Sequence, residues 1–339
     1  MRICNFEAAA LTSLALAGLM AAAAASSHCN ETGMPRAREV LPYWAFAVDP
    51  PAGTSNAAAG VVDAEPRHVP GSAAAFTPAQ LSDLFSAPDW HPGKHPTMPE
   101  VVAHGHKPDV FACGYCHLPN GQGRPENSTL AGLPESYIVQ QVADFKSGLR
   151  KSSEPRHVPT ALMIGSETKA GPQEILAAAR YFSSLRRTPW IRVVETDTVA
   201  KTHVAGWMLV ASSDAGIEPI GSRIIETPEN LERTEMRDDT SGFVAYVPVG
   251  SIKRGESLVK TGDSGKTLPC GGCHGADLRG HDNVPSIAGR SPSYVVRQLY
   301  DIQHGARAGA AAGLMKLPVA KLSLADMVSI AAYAASLQP

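Results

Sequence analysis

The pentapeptide Cys-x-x-Cys-His occurs twice in this chain, as Cys113-Gly114-Tyr115-Cys116-His117 and as Cys270-Gly271-Gly272-Cys273-His274. Two thiols at this spacing can form thioether bonds to the vinyl groups of a haem. The histidine directly after them then lies beneath the iron as an axial ligand. A redox dithiol gives no reason for that histidine and expects a thioredoxin-like βαβ setting. A structural zinc site brings two Cys-x-x-Cys pairs to within about 15–20 residues of each other, whereas more than 150 residues separate Cys116 from Cys270. A disulfide framework expects a short, cysteine-dense chain, and here six cysteines are spread over 339 residues. The motifs therefore read as two attachment sites for covalent haem c, through Cys113 and Cys116 and through Cys270 and Cys273, with His117 and His274 on the irons.

The flanking sequence repeats as well. At a constant offset Ala131-Gly132 falls on Ala288-Gly289, Tyr137 on Tyr294 and Gln141 on Gln298, while Asp144, Gly148 and Arg150 fall on Asp301, Gly305 and Arg307. Apolar residues at Ile138, Val142 and Phe145, and at Val295, Leu299 and Ile302, follow a helical period. Each motif is thus followed by a glycine-containing loop and an amphipathic helix, and two domains of one kind are the economical explanation.

A six-coordinate electron-transfer haem needs a second axial ligand, often a methionine thioether, which raises the potential. Met163 and Met315 occupy equivalent places past the repeated helix, each before an Ala-rich amphipathic helix at 172–185 and 323–337. A single methionine in such a place is more often core filler; two in equivalent places after the motifs favour ligation. Met208 and Met236 read as structural, and Met98 is a weak rival to Met163. His104, His106 and His157 raise a His/His alternative for the first haem, and His281 and His304 for the second, but all five read as surface histidines. His203 reads as structural.

With these residues in place, both halves resemble class I c-type cytochrome domains, and the tandem resembles the di-haem cytochrome c4 type, over roughly 101–185 and 251–337. The Cys-x-x-Cys-His motifs are highly specific to it; the Ala-Gly-x-x-x-x-Tyr segments ending in Tyr137 and Tyr294 and the loop methionines are less so. The resemblance implies a mainly α fold, with a few short helices wrapped around each covalent haem and His/Met iron in both halves. It also implies that the Pro285 carbonyl accepts a hydrogen bond from the His274 imidazole. The first half departs here, having Ser128 at the equivalent place. Arg150 and Arg307 are candidates to neutralise haem propionates; solvated helix ends are the rival reading.

Residues 1–25 read as a cleaved signal peptide, with an apolar stretch from Leu11 to Met20 and Ala23-Ala24-Ala25 before Ser26. The stretch is short for a spanning helix. Cys29 lacks a small residue before it and reads as incidental rather than as a lipid attachment site. The segment 26–100 is a Pro-, Ala- and Gly-rich leader, irregular at 50–53, with a short helix expected from Pro78 to Phe85; it either wraps the first haem domain or is partly disordered. Haem domains follow at 101–187 and 251–339. Between them, 188–250 carries short β-prone runs at 190–194, 207–210, 223–225 and 243–247. It holds ten acidic and five basic residues, while 251–339 holds ten basic and six acidic. The insert is read as a β-ribbon fixing the two haem domains, ahead of an acidic docking face for a basic partner.

The near-neutral balance, −2 overall, argues against a nucleic-acid role. The expectation is a periplasmic electron carrier cycling two irons between Fe(II) and Fe(III). It would take electrons from a redox-protein donor, dock transiently on membrane respiratory complexes, and bind no small-molecule substrate. Two alternatives use the same motifs. One is a di-haem enzyme of the cytochrome c peroxidase or thiosulfate dehydrogenase kind; the other is the cytochrome subunit of a dehydrogenase complex.

Overall fold

Leu258, Val296, Ala331 and Met327 carry no exposed surface to speak of, and around them the second motif's half is built. In the computed structural model, which describes residues 41–48, 64–213 and 216–339, three helices meet there: Ser251–Thr261, Pro292–Gln303 and Leu324–Ser336. The signal peptide expected at 1–25, Cys29 and the irregular stretch at 50–53 lie outside the described residues. The first and third helices cross so closely that Gly255 has no room for a side chain. A Cβ there would meet the Ser329 carbonyl. The last helix opens with a capping box: Asp326 N–H bonds Ser323 Oγ at 3.3 Å, and Ser323 N–H bonds the Asp326 carboxylate at 2.9 Å.

The first motif's half repeats the plan with a shorter opening helix, Glu100–Ala103, then Glu135–Lys146, Val158–Glu167 and Pro172–Ser184. Its core joins Val102, Leu133, Ala179 and Phe182. The repeated Ala-Gly pair has a physical reason in both halves. Ala131 and Ala288 are fully buried, and Gly132 and Gly289 take left-handed backbone at φ 66° and 62°. Their N–H groups then reach the end of the closing helix, donating to the carbonyls of Phe182 and Ala334 at 3.0 and 2.8 Å.

Between the halves lies the β-rich segment. Phe243–Pro248 is the centre of a three-stranded sheet, parallel to Ile191–Thr196 and antiparallel to Ile225–Pro228. Two small antiparallel pairs join Thr198–Ala200 to Ile217–Pro219 and Thr202–Ala205 to Met208–Ala211. Of the segment's acidic residues Glu226, Asp238 and Asp239 are buried, while Glu195, Asp197, Glu229, Glu232 and Glu235 are exposed. Glu226 is buried and takes the hydroxyls of Ser291 and Ser293 at 2.7 and 2.5 Å. Glu218 pairs with Arg223, and Glu229 with Arg192.

In the leader, the helix expected from Pro78 spans Pro78–Ser82, capped by Thr77 and Gln80. Trp90 is buried, and its Nε1 donates to the Met236 carbonyl at 2.7 Å. Trp90 thus lies against the β-rich segment, while Leu84 and Ala87 lie against the first motif's half, where Ala112 N–H donates to the Leu84 carbonyl at 2.9 Å. No helix among the described residues is long and apolar enough to cross a membrane.

Candidate functional site

His117 ends the one-turn helix Cys113–His117, its Nδ1 2.8 Å from the Ser128 carbonyl oxygen. A carbonyl only accepts, so Nδ1 carries the hydrogen and Nε2 presents its lone pair. Burial pushes the imidazole down to about 4, so it is neutral and able to ligate at neutral pH. His274 repeats the arrangement on the Pro285 carbonyl, also at 2.8 Å, and burial lowers it too. The serine in place of proline leaves this contact unchanged, because the bond is made by backbone. Cys113, Cys116 and Cys270 are half-buried and Cys273 is exposed, none of them in a disulfide. Burial pushes the Cys270 thiol up to about 11.

Beside His117 opens a cleft of about 1340 Å³ of empty space, its open mouth included. Its floor is apolar, with Leu130, Leu133, Ile138, Val142 and Phe182, and Cys113, Cys116 and Met163 line it together with His117. Met163 lies half-buried within the Val158–Glu167 helix. In the second half Met315 is half-buried at the start of Lys316–Val319, packed with Cys270 against one hydrophobic core.

The far end of the first cleft is polar, and here the two repeats exchange side chains. Arg150 bonds Gln141 of its own half at 2.9 Å and reaches across to Gln298 and Tyr294 at 3.1 and 3.2 Å. Arg307 bonds Gln298 at 3.0 Å and reaches across to Tyr137 and Gln141 at 2.8 and 2.9 Å. Backbone bonds Lys151 N–H to Ala306 and Ala308 N–H to Leu149, each 2.7 Å, close the junction. The paired residues of the repeat are therefore one network, and the reading of the arginines as solvated helix ends does not hold: Arg150 is 9% exposed. Burial would raise the Tyr294 hydroxyl, but Arg150 and Arg307 outweigh it and bring it down to about 7.

The side-chain partners named here for these two guanidinium groups are amides and phenols, and the Arg307 Nε is buried with no partner among the described residues. Asp301, buried beside them, offsets part of their charge, and the unpartnered Arg307 Nε leaves a donor for a further acidic group. An apolar cleft lined by two thiols, an imidazole and the Arg150 guanidinium fits a haem with a propionate.

Sequence reasoning misplaced His157. It is not on the surface but 4% exposed, edge-on to Phe46 at 5.8 Å and lining the first cleft. Its Nδ1 bonds Thr160 Oγ1 at 2.8 Å, while Nε2 is buried with no partner among the described residues. Burial, with Arg297 nearby, pushes it down to about 2. His104, His106, His281 and His304 are exposed as expected. Reasoning also missed Arg237, which stacks on the Tyr115 ring at 3.6 Å and donates to its carbonyl, tying the β-rich segment to the first pentapeptide. No local pattern marks such a contact, because its partners lie 122 residues apart.

No family model matches the chain. It is similar to the thiosulfate dehydrogenase electron acceptor of Thiomonas intermedia, with 25% identity over 234 residues, 68% of this chain and 80% of that protein. Cytochrome c4 of Azotobacter vinelandii shares 24% over 227 residues, 65% of this chain and 82% of that one. Among solved structures, reduced cytochrome c4 of Pseudomonas stutzeri aligns at 22% identity with a TM-score of 0.42, covering 66% of this chain and 93% of that chain.

Proposed function

We infer that this chain, a tandem di-haem class I c-type cytochrome similar to cytochrome c4, carries electrons between a redox-protein donor and an acceptor outside the cytoplasmic membrane, as two haem domains at 101–187 and 251–339. It carries two covalent haem c groups, and bound haem supplies one-electron Fe(II)/Fe(III) chemistry. Cys113 and Cys116 hold one group and Cys270 and Cys273 the other, with His117 and Met163, and His274 and Met315, on the irons. The observation that carries the reading is the matched pair of imidazoles. Each is neutral and locked by a carbonyl at 2.8 Å, so that its Nε2 is free to ligate.

The other residues fit a carrier. Arg150, Arg307, Tyr137 and Tyr294 meet at the polar end of the first cleft, where they would hold propionates and place the two groups on one network. Beside the second motif, Leu268, Leu314 and Leu317 stand 50%, 82% and 70% exposed. A haem held by Cys270, Cys273, His274 and Met315 would cover apolar surface of this kind. The thiosulfate dehydrogenase electron acceptor among the relatives favours an enzyme oxidising a reduced sulfur compound as donor. Transfer to an acceptor such as a terminal oxidase would follow.

A spectroscopic redox titration of the purified holoprotein tests the reading. Two low-spin haems with methionine-to-iron bands, inert to peroxide and thiosulfate turnover, are expected. A high-spin haem that binds cyanide or consumes peroxide would overturn the carrier in favour of an enzyme.

A further inference from the structure

Away from both pentapeptides, three side chains from distant parts of the chain close on one point. His91 belongs to the leader; Asp238 and Asp239 belong to the β-rich segment. Their side chains are 3%, 0% and 3% exposed. His91 Nε2 hydrogen-bonds Asp238 Oδ1 at 3.1 Å, a bond a shared cation would replace, and lies 4.0 Å from Asp239 Oδ1, and all three donor atoms fall within 4.8 Å of one another. Donors around a tetrahedral zinc at about 2.0–2.2 Å lie about 3.3–3.6 Å apart. The cluster is thus open by about an ångström from a ligand shell.

Two carboxylates alone would prove nothing, but one of them lacks what burial demands. Asp239 Oδ1 is buried with no hydrogen-bond partner among the described residues, and it faces the imidazole. An orphaned carboxylate oxygen is costly in a dry interior unless a cation completes it. Asp238, by contrast, is already held in place. Arg233 bonds its Oδ2 at 2.7 Å, and Thr240 N–H and Oγ1 bond its Oδ1 at 2.9 and 2.7 Å. Outer contacts of that kind orient a ligating carboxylate. The Asn120 amide fixes the neighbouring backbone by donating to the Asp239 carbonyl at 2.5 Å.

We propose that His91, Asp238 and Asp239 bind one divalent cation of the zinc class, as a clip between the leader and the β-rich segment. An imidazole with two carboxylates matches zinc better than calcium or magnesium, which prefer all-oxygen shells. His95 is not a fourth donor, since Asp89 holds its Nε2 at 3.1 Å and Tyr181 and Pro96 face its Nδ1. The fourth position falls to water, which enters by the cleft that Asp239 and Thr240 line with Lys94, Asn120 and Trp190. The clip holds Trp90 against Met236 and keeps the neighbouring Arg237 on Tyr115 of the first motif, and it takes no part in electron transfer.

The test uses haem-loaded protein stripped with a chelator. Zinc is added, and bound zinc per chain, affinity and melting temperature are measured with haem content as the reference. One equivalent of zinc and a raised melting temperature are expected, with at least ten-fold weaker binding in Asp239→Asn and His91→Gln while the haem spectrum is unchanged. X-ray absorption at the zinc edge should give nitrogen and oxygen ligands only. No stoichiometric binding by the wild type, undiminished binding in Asp239→Asn, or sulfur in the zinc shell would each overturn the site. Should a variant fail to load haem, the wild-type stoichiometry and ligand spectrum decide alone.

Discussion

At the first haem two side chains compete for attention, and they differ in what they can offer an iron. Met163 is a half-buried thioether past the repeated helix, the place Met315 takes in the other half. His157 is deeper, neutral and lacks a partner at Nε2 among the described residues. If Met163 ligates, Met163→His should abolish the methionine-to-iron band of one haem and lower that haem's potential by at least about 60 mV, a tenfold change in a one-electron equilibrium. His157→Gln should leave the band in place. A first haem that lacks the band in the wild type, with the remaining band untouched by Met163→His, would move the sixth ligand to the histidine. The methionine was legible because it repeats; the buried histidine was not, because His157 sits among Arg, Pro and Thr in sequence and only the fold carries it against Phe46.

Single elements make separable demands. The crossing of the Ser251–Thr261 and Leu324–Ser336 helices depends on Gly255, where a Cβ would lie 1.9 Å from the Ser329 oxygen. Gly255→Ala should cost about 3 kcal/mol in denaturant unfolding. Gly165, with nothing within 4 Å of its Cβ position, should gain up to about 1 kcal/mol as alanine by helix propensity. The closing helix carries its own acid sensitivity. Burial would raise Asp326, but Lys266, Ser323 and Arg254 outweigh it and hold the carboxyl at about 2. A depressed folded-state value stabilises above the unfolded value and is lost as pH falls through the folded one. Stability should therefore fall between about pH 4 and 2 in the wild type. In Asp326→Asn it should be about 2 kcal/mol lower near neutrality and flatter across that window, as followed by circular dichroism. Helices and strands were readable from period and from β-prone runs, since the apolar faces at Ile138, Val142 and Phe145 are local facts. Which helices cross at a glycine was not, because Gly255 and Ser329 are far apart in sequence.

Across the whole molecule the repeat is visible in sequence but its use is not. Tyr137, Gln141 and Arg150 align with Tyr294, Gln298 and Arg307 as if each trio served its own half, yet the arginines reach over and share the glutamines of both. Sharing has a thermodynamic signature. Arg150→Gln and Arg307→Gln should be non-additive in stability, with a coupling of about 1 kcal/mol in a double-mutant cycle. It has a redox signature too. A buried positive charge disfavours Fe(III), so removing one should lower the potential of every haem near enough to feel it. Because Arg150 bonds residues of both repeats, Arg150→Gln should lower both potentials in a spectroelectrochemical titration, whereas Arg237→Gln, stacked on Tyr115 alone, should move only the first. Two domains with private pockets would instead give a shift in one haem for either variant. That outcome would reduce the junction to a mechanical joint and leave the two haems as independent carriers on one chain.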